Sequence, residues 1–588
     1  MTSSKSGASI LLGQIAPGLT GTAEIVVGPE HTAPFVGSGR IAVLATPVMI
    51  NVVEAAALAA VEHLLPAGHQ SLGIRLDISH TAATPVGLRV IATAEVTRIE
   101  GRTISFRALH DQAQATARSL LASGIAPGDR VAVLNRNDLS WFDLFFGSVT
   151  VRAALVPINC RLAAAEIGFI LSDAAPRLLF VGGEFADVAL QAVAGLSDRP
   201  RLILLDGERT GFELYADWAG QGDDAPLPRP AVEDDVLQLY TSGTTGKPKG
   251  VVLTNRNYRQ FLRAMEKIDG FSYEIADTVM IVMPLFHVAG TNVSFAGLAQ
   301  GCRLLIVREF VPDQAIATMQ AERVGHAFLA PSIIQMMLQS PAIAGASFPH
   351  LRTISYGASP ISEDVLRRAQ AAFGCDFVQF YGMTESAGGG TYLAPSAHAE
   401  GALLRSCGKA WPDTEVAILN PAGEVLPPHE IGEIAIRGDI VMQGYWRRPD
   451  ATADTVRDGW LRTGDAGFTC ERGYFYVHDR IKDMIVSGGE NVYPAEVENA
   501  ILGCPGVADV AVIGVPDDKW GEAVKAIIVP DGAPDAAVIA AWARERIAAY
   551  KVPKSFDFAE TLPRNASGKI LRRELRAQFW EGRDRGVG

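Results

Sequence analysis

The sequence predicts an α/β protein: a large domain of alternating strands and helices, a small α+β domain after it, and a separate α+β module in front. Three observations carry that expectation. A chain of 588 residues, 48% hydrophobic and 20% charged, is globular and too long for one core, so it divides into about three domains. From Arg130 onward, short apolar runs alternate with helically spaced segments, the pattern of βαβ units and mostly parallel sheets. The N-terminal region reads differently, as one apolar helix followed by consecutive strand-like runs, which suggests a sheet wrapped around a helix. The boundaries expected are 1–106, 107–479 and 480–588.

Taken in order, Thr46 and Pro47 open a helical pattern running to Leu65, with Thr46 at the cap and Pro47 at the first helical position. That helix is almost wholly apolar. Glu54 is its one early charge, and a carboxylate on such a face is expected to be desolvated, with its pKa raised. Strand-like runs follow at 71–78, 87–98 and 103–107. Then Leu109, Ala113, Ala117, Leu120 and Leu121 take helical spacing, Gly124 reads as a C-cap, and 130–134 reads as a buried strand. Further strands are expected at 153–158, 177–181 and 201–205, and a loop rich in Pro, Asp and Gly at 219–235. Strands at 507–515 and 523–529 and a helix over 536–549 make the small C-terminal unit.

The stretch 239–250 reads LYTSGTTGKPKG, behind a strand marked by Val236, Leu237 and Leu239. Its glycines, Gly243 and Gly246 among them, let backbone N–H groups approach an anion. Thr241, Ser242, Thr244 and Thr245 add hydroxyl donors, and Lys247 and Lys249 add positive charge, so the composition is that of a polyphosphate cradle. It is not the common phosphate loop, because Gly243 and Gly246 stand too close together and Pro248 follows Lys247. Net charge of -13 argues against nucleic acid as a main partner. Six scattered cysteines without a C-x-x-C pair suit a reduced cytoplasm. The most apolar window, 41–61, is interrupted by Pro47, Asn51 and Glu54, so no membrane span is expected.

Downstream of the cradle come MPLFHVAGT, YGASP, QFYGMTES, GWLRTGD, HDRIKDMIVSGGENVYPAEVENAI and LPRNASGKILRREL, in that order. The ordered set, over about 107–573, resembles the adenylate-forming enzymes: acyl-CoA synthetases, luciferases and peptide-synthetase adenylation domains. The resemblance implies an adenylate-forming domain of βαβ layers and a mobile C-terminal domain, with ATP, CoA and Mg²⁺ as cofactors. It places the polyphosphate on Thr241, Ser242, Gly243, Thr244, Thr245, Gly246 and Lys249. Adenine falls to Gly357, Ala358, Ser359 and Tyr381, the α-phosphate to Thr384, Mg²⁺ to Glu385, the ribose to Asp465, and a further nucleotide contact to Arg480. His287 stands beside the acyl pocket, Lys482 is the hinge, and Gly488, Gly489 and Glu490 line the pantetheine tunnel. Lys569 bridges carboxylate and α-phosphate during adenylation and must be carried in by domain closure. A medium- to long-chain fatty acid is the expected substrate, with an aryl acid such as coumarate or benzoate as the alternative.

The N-terminal module resembles the hotdog-fold thioesterases of the fluoroacetyl-CoA type, on VLATPVMINVVEAA and SLGIRLDISHTAATPVGL. That family's Thr, Glu and His map onto Thr46, Glu54 and His80. The module is incomplete, since GRTISFRAL serves as its last strand and as the first strand of the following domain. Thioester hydrolysis and homodimer formation are the two roles left open to it.

Overall fold

The computed structural model describes residues 19–38, 40–64, 83–95, 104–222, 226–241, 248–480, 483–487, 490–517, 519–532, 535–564 and 569–581. Two compact units form, one from 1–124 with 202–227, the other from 125–201 with 228–588.

In the first unit, strand Thr20–Val26 pairs antiparallel with Arg89–Glu95, and helix Thr46–Val61 lies against both. Small residues permit that close packing. A Cβ on Gly21 would stand 2.3 Å from the Ala56 carbonyl oxygen, and Ala56 and Ala60 are buried. The helix begins at Thr46, so Ala45 occupies the cap and Pro47 stands one position further in than expected. Glu54 is exposed rather than buried: it lies on the helix face turned away from the two strands, together with Asn51, Ala55 and Ala57. The strand expected at 71–78, and His80, lie outside the described residues. A second correction concerns 104–107, Thr103 lying outside the described residues. Helix Phe106–Ala122 starts there, and the Ser105 hydroxyl caps it by accepting from the Ala108 N–H at 3.1 Å. The local cap outweighs the strand propensity of its neighbours, so this stretch opens a helix instead of closing a sheet. Gly124, at φ +78°, ends that helix as expected.

The second unit contains the expected βαβ layers. One sheet runs Gly444–Tyr445, Lys249–Thr254, Asp235–Thr241, Ala154–Pro157, Arg130–Leu134, Leu178–Val181. A second runs Arg303–Ile306, Thr278–Ile281, His326–Leu329, Thr353–Gly357, Asp376–Tyr381, Thr391–Leu393, Lys409–Ala410. Both are parallel in the middle and antiparallel at one edge, so they are mixed rather than purely parallel. Central strands such as Arg130–Leu134 and Ala154–Pro157 are buried along their whole length, as strands covered by helices on both faces must be. A third, antiparallel sheet holds Glu415–Leu419, Gly432–Arg437, Val456–Arg457, Trp460–Thr469 and Phe475–Arg480. The C-terminal sheet joins Glu490–Val492, Ile485–Ser487, Gly521–Pro530, Val507–Asp517 and Ser555–Phe558 around a core that includes Ile485, Val497, Val512 and Ile539. Helix Ala536–Arg544 is shorter than expected and is followed by a 3₁₀ turn at Ala549–Lys551.

Candidate active site

The strands that flank the cradle pair with one another. Strands Asp235–Thr241 and Lys249–Thr254 pair antiparallel, with Thr241 opposite Lys249, and this pairing brings the two ends of 242–247 together. Ser242, Gly243, Thr244, Thr245 and Gly246 lie outside the described residues. The hairpin base is held by a buried polar network. Arg130 donates to Gln238 Oε1 at 3.1 Å and to Asp235 Oδ2 at 2.6 Å, and its guanidinium stacks 3.4 Å from the Trp446 ring centroid. Tyr240 donates to Asp173 Oδ2 at 2.8 Å, and Arg448 donates to Asp173 Oδ1 at 2.6 Å. Desolvation lowers the Arg130 pKa and Asp235 opposes the shift, so one paired cation holds the strand beneath the cradle.

The YGASP and YGMTES segments meet at the ends of adjacent parallel strands. Gly357 lies opposite Phe380, and a Cβ on Gly357 would stand 2.2 Å from the Phe380 carbonyl oxygen. Ala358 has φ +67°, a left-handed conformation uncommon for alanine and most often retained where a site needs it. Ser359 follows, half-buried. After strand Asp376–Tyr381 the chain makes a 3₁₀ turn, Thr384–Ser386, closed by Ala387 in the left-handed region. The turn buries Glu385 to 5% exposure and leaves Thr384 half-buried. Tyr381 donates its hydroxyl to Asp465 Oδ2 at 2.7 Å, so one oxygen of the expected ribose acceptor already has a protein partner. Desolvation, reinforced by the Asp465 charge, pushes the Tyr381 pKa well up, so it remains a neutral donor. Asp465 pairs across the third sheet with Arg480, which brings those two backbone positions together.

Glu385 accepts from the Tyr445 hydroxyl at Oε1, 2.8 Å away, and the Lys249 ammonium lies 4.8 Å from the centroid of the same Tyr445 ring. No group of three or more His, Cys, Asp or Glu side chains poised for a metal occurs among the described residues. A lone hard carboxylate fits Mg²⁺ of the kind that completes its shell with substrate phosphates and water.

A cavity of about 580 Å³, its open mouth included, lies beside this turn. Its lining brings together His287, Ala358 and Gly382, one from each of three separate motifs, with aromatic walls from Phe261, Tyr273 and Trp411. His287 caps helix Val288–Ala299, with Nδ1 accepting from the Ala289 N–H at 3.2 Å. Burial pulls its pKa down to about 4, so the ring is neutral at physiological pH. Asn292 ties the same helix to the turn by donating to the Ala387 carbonyl at 2.8 Å, while its Oδ1 is buried with no hydrogen-bond partner.

Lys569 belongs to the C-terminal domain, beside the bridge between Arg564 and Ile570. The helix that follows it, Arg572–Ala577, is anchored by charge: Arg572 donates to Glu498 Oε2 at 2.6 Å and Arg576 to Asp483 Oδ1 at 2.9 Å. Asp483 directly follows Lys482, so the segment after the expected hinge and the segment after Lys569 share one buried ion-pair cluster. Lys482, Gly488 and Gly489 lie outside the described residues, and Glu490 begins a strand. In the N-terminal unit, Thr46 and Glu54 are both exposed on their helix. Sequence reasoning missed Tyr445, Asn292 and the aromatic walls. Tyr445 lies in QGYWRRP, where an aromatic between Gly and Trp in a polar stretch was the available signal.

A family model described as AMP-binding enzyme matches residues 82–446, and one described as AMP-binding enzyme C-terminal domain matches 496–569. A third, described as fluoroacetyl-CoA-specific thioesterase, matches 27–117, so it and the first share 82–117. Similar proteins include the fatty acid–[acyl-carrier-protein] ligase ScoC of Streptomyces coeruleorubidus, 39% identical over 82% of this chain and 92% of that relative. A feruloyl-CoA synthase of an Amycolatopsis species is 39% identical over 84% of this chain and 97% of its own length. Among solved structures, a Mycobacterium tuberculosis fatty acyl CoA synthetase aligns at TM-score 0.64 and 37% identity, covering 81% of this chain and 93% of that one.

Proposed function

From the premise that this chain belongs to the AMP-binding enzyme family, we propose that it converts a medium- to long-chain fatty acid to its acyl-CoA through an acyl-adenylate. It is an AMP-forming acid–thiol ligase that activates a carboxylic acid with ATP. The observation that supports the site assignment best is the single cavity lined by His287, Ala358 and Gly382, beside Thr384 and Glu385.

In the first step a substrate carboxylate oxygen attacks the α-phosphorus of ATP, the bond to the bridging oxygen breaks, and pyrophosphate leaves. The cradle and Lys249 hold the departing phosphates. Thr384 binds the α-phosphoryl group and Glu385 is the carboxylate that holds Mg²⁺, which when bound neutralises phosphate charge. Asp465 and Arg480 take the ribose side, and Gly357, Ala358 and Ser359 leave a flat surface for adenine beside Tyr381. Lys569 supplies a compact cation where charge builds on the α-phosphoryl oxygens. In the second step the C-terminal domain turns about Lys482 and Lys569 withdraws. The CoA thiol, entering past Gly488, Gly489 and Glu490, loses its proton to solvent and attacks the acyl carbon as the thiolate; the bond from that carbon to the phosphate oxygen breaks and AMP leaves. His287, a weak base because burial depresses its pKa and with Nδ1 already accepting from the Ala289 N–H, walls the acyl group rather than taking the thiol proton. On this reading the domain limits are 1–106, 107–479 and 480–588, in a cytoplasmic enzyme. For the N-terminal module the reading is pairing rather than hydrolysis: Thr46 and Glu54 are exposed on their helix instead of being enclosed in a pocket, and His80 lies outside the described residues.

The acyl reading draws on a second cavity, of about 480 Å³, which shares Met265 and Tyr273 with the first. Those two side chains line both spaces, where a chain-length limit would sit. An aryl acid bearing a hydrogen-bond donor is the second reading, favoured by the buried, unpartnered Asn292 Oδ1 and the aromatic walls. ATP–pyrophosphate exchange with octanoate, palmitate and coumarate separates the two. Fatty acids are expected to dominate, and Tyr273→Ala is expected to raise the palmitate to octanoate ratio several-fold. Exchange confined to coumarate would replace the first reading with the second.

A further inference from the structure

We propose that Tyr445 is a positioning residue that holds the metal carboxylate and the cradle lysine in one geometry, an inference that rests on Glu385 as the Mg²⁺ ligand. Its hydroxyl donates to Glu385 Oε1 at 2.8 Å, while its ring carries the Lys249 ammonium at 4.8 Å, within cation–π range. A carboxylate can accept from about four directions, so a donor fixed on one oxygen fixes the rotation of the whole group. The donor is a neutral phenol. An arginine or lysine in its place would neutralise the carboxylate and compete with the cation that Glu385 is read to hold.

Tyr445 has little freedom of its own. Strand Gly444–Tyr445 pairs with Lys249–Thr254, with Tyr445 opposite Val251. The Tyr445 N–H donates to Thr452 Oγ1 at 2.9 Å, and the Trp446 N–H donates to the Gly250 carbonyl at 2.7 Å. The Met442 N–H, three residues earlier, donates to the Glu385 carbonyl at 2.8 Å. The segment 442–446 is therefore stitched to the cradle hairpin on one side and to the Glu385 turn on the other. One side chain couples the group that receives the metal to the group that receives the phosphate tail, two elements far apart in the chain.

The test measures binding of α,β-methylene-ATP to the full chain by calorimetry, in EDTA and in Mg²⁺, for Tyr445→Phe, Tyr445→Leu and Glu385→Gln. Phe keeps the ring under Lys249 and loses the hydroxyl. The Kd in Mg²⁺ should rise about tenfold, as for one hydrogen bond to a charged group. The Kd in EDTA should stay within about twofold of the parent for Tyr445→Phe, and should rise about threefold for Tyr445→Leu, which also loses the ring. Adding Tyr445→Phe to Glu385→Gln should change nothing further. Thr452→Val, which frees the Tyr445 backbone and keeps the phenol, should show the same metal-specific loss at smaller size. An equal loss by Tyr445→Phe in EDTA and in Mg²⁺, or a full additive loss on Glu385→Gln, overturns the proposal. Should Glu385→Gln keep the parent's Mg²⁺ enhancement, the reading of Glu385 itself fails. Should it lose that enhancement while Tyr445→Phe keeps it, only the role of Tyr445 fails.

Discussion

Replacing Gly357 by alanine tests whether two nucleotide-facing segments depend on one close backbone approach. The added Cβ would lie 2.2 Å from the Phe380 carbonyl oxygen and 3.4 Å from the Phe328 ring. Ordinary carbon–oxygen contact needs roughly 1 Å more, and the obstructing atom is backbone, so no side chain can swing aside. Strands Thr353–Gly357 and Asp376–Tyr381 must therefore part where Gly357 faces Phe380. Overpacking of this kind costs about 1–3 kcal/mol, and the core under it, with Ile354, Tyr356 and Phe377 nearly inaccessible, has no slack to absorb the shift. The damage falls directly before Ala358 on one strand and directly before Tyr381 on the other. A displacement of about 1 Å in such a site is expected to lower adenylation about 100-fold, with a melting shift of a few degrees. ATP–pyrophosphate exchange and a thermal melt of the purified variant measure both. Exchange within twofold of the parent, with an unchanged melt, would refute the close-approach argument.

Lys569→Ala should abolish ATP–pyrophosphate exchange yet still convert supplied acyl-adenylate and CoA to thioester; equal loss of both half-reactions sinks the assigned role. Burial holds the His287 pKa near 4, so at pH 6 about 1% of it is protonated, against about three quarters of an ordinary imidazole. Because the unfolded chain takes up that proton between about pH 6.5 and 4 and the folded chain does not, stability falls by about 1.4 kcal/mol per unit as pH drops through this window. NMR titration of labelled histidine checks it, and a His287 signal titrating near 6.5 contradicts the burial argument. For the N-terminal module, the full-length protein is expected to release no free CoA from short acyl-CoAs without ATP; steady ATP-independent release would restore the thioesterase reading.

Motifs made of contiguous residues were readable before folding. The glycines and hydroxyls of 241–246, the Thr384–Glu385 pair, Asp465 and Lys569 each sit in a short run whose residue types suggest a chemistry, and their order implied the reaction class. Strand 130–134 was equally plain, because burial on both faces leaves a continuous apolar run. The misreadings arose where local and distant forces compete. At 104–107 the Ser105 cap, a single hydroxyl, marks a helix start where a strand was expected. Glu54 looked buried because its helix is apolar all round, yet only the stripe through Val52, Ala56 and Ala60 is covered.

Contacts across the fold followed a different rule. Tyr445 reaches Glu385 from 60 positions away, and Tyr381 reaches Asp465 from 84. Such pairs depend on sheet register and on where one strand ends beside another, which composition does not encode. The cavity is of the same kind: Phe261, Tyr273, Phe328 and Trp411 come from well-separated stretches and none of them marks itself in the chain, whereas His287 beside them stood out by its motif. Residue chemistry, being local, announced that an acid would be activated at a phosphate. Shape, being the sum of distant packing, determined which side chains line the cavity and that the Tyr445 hydroxyl meets Glu385.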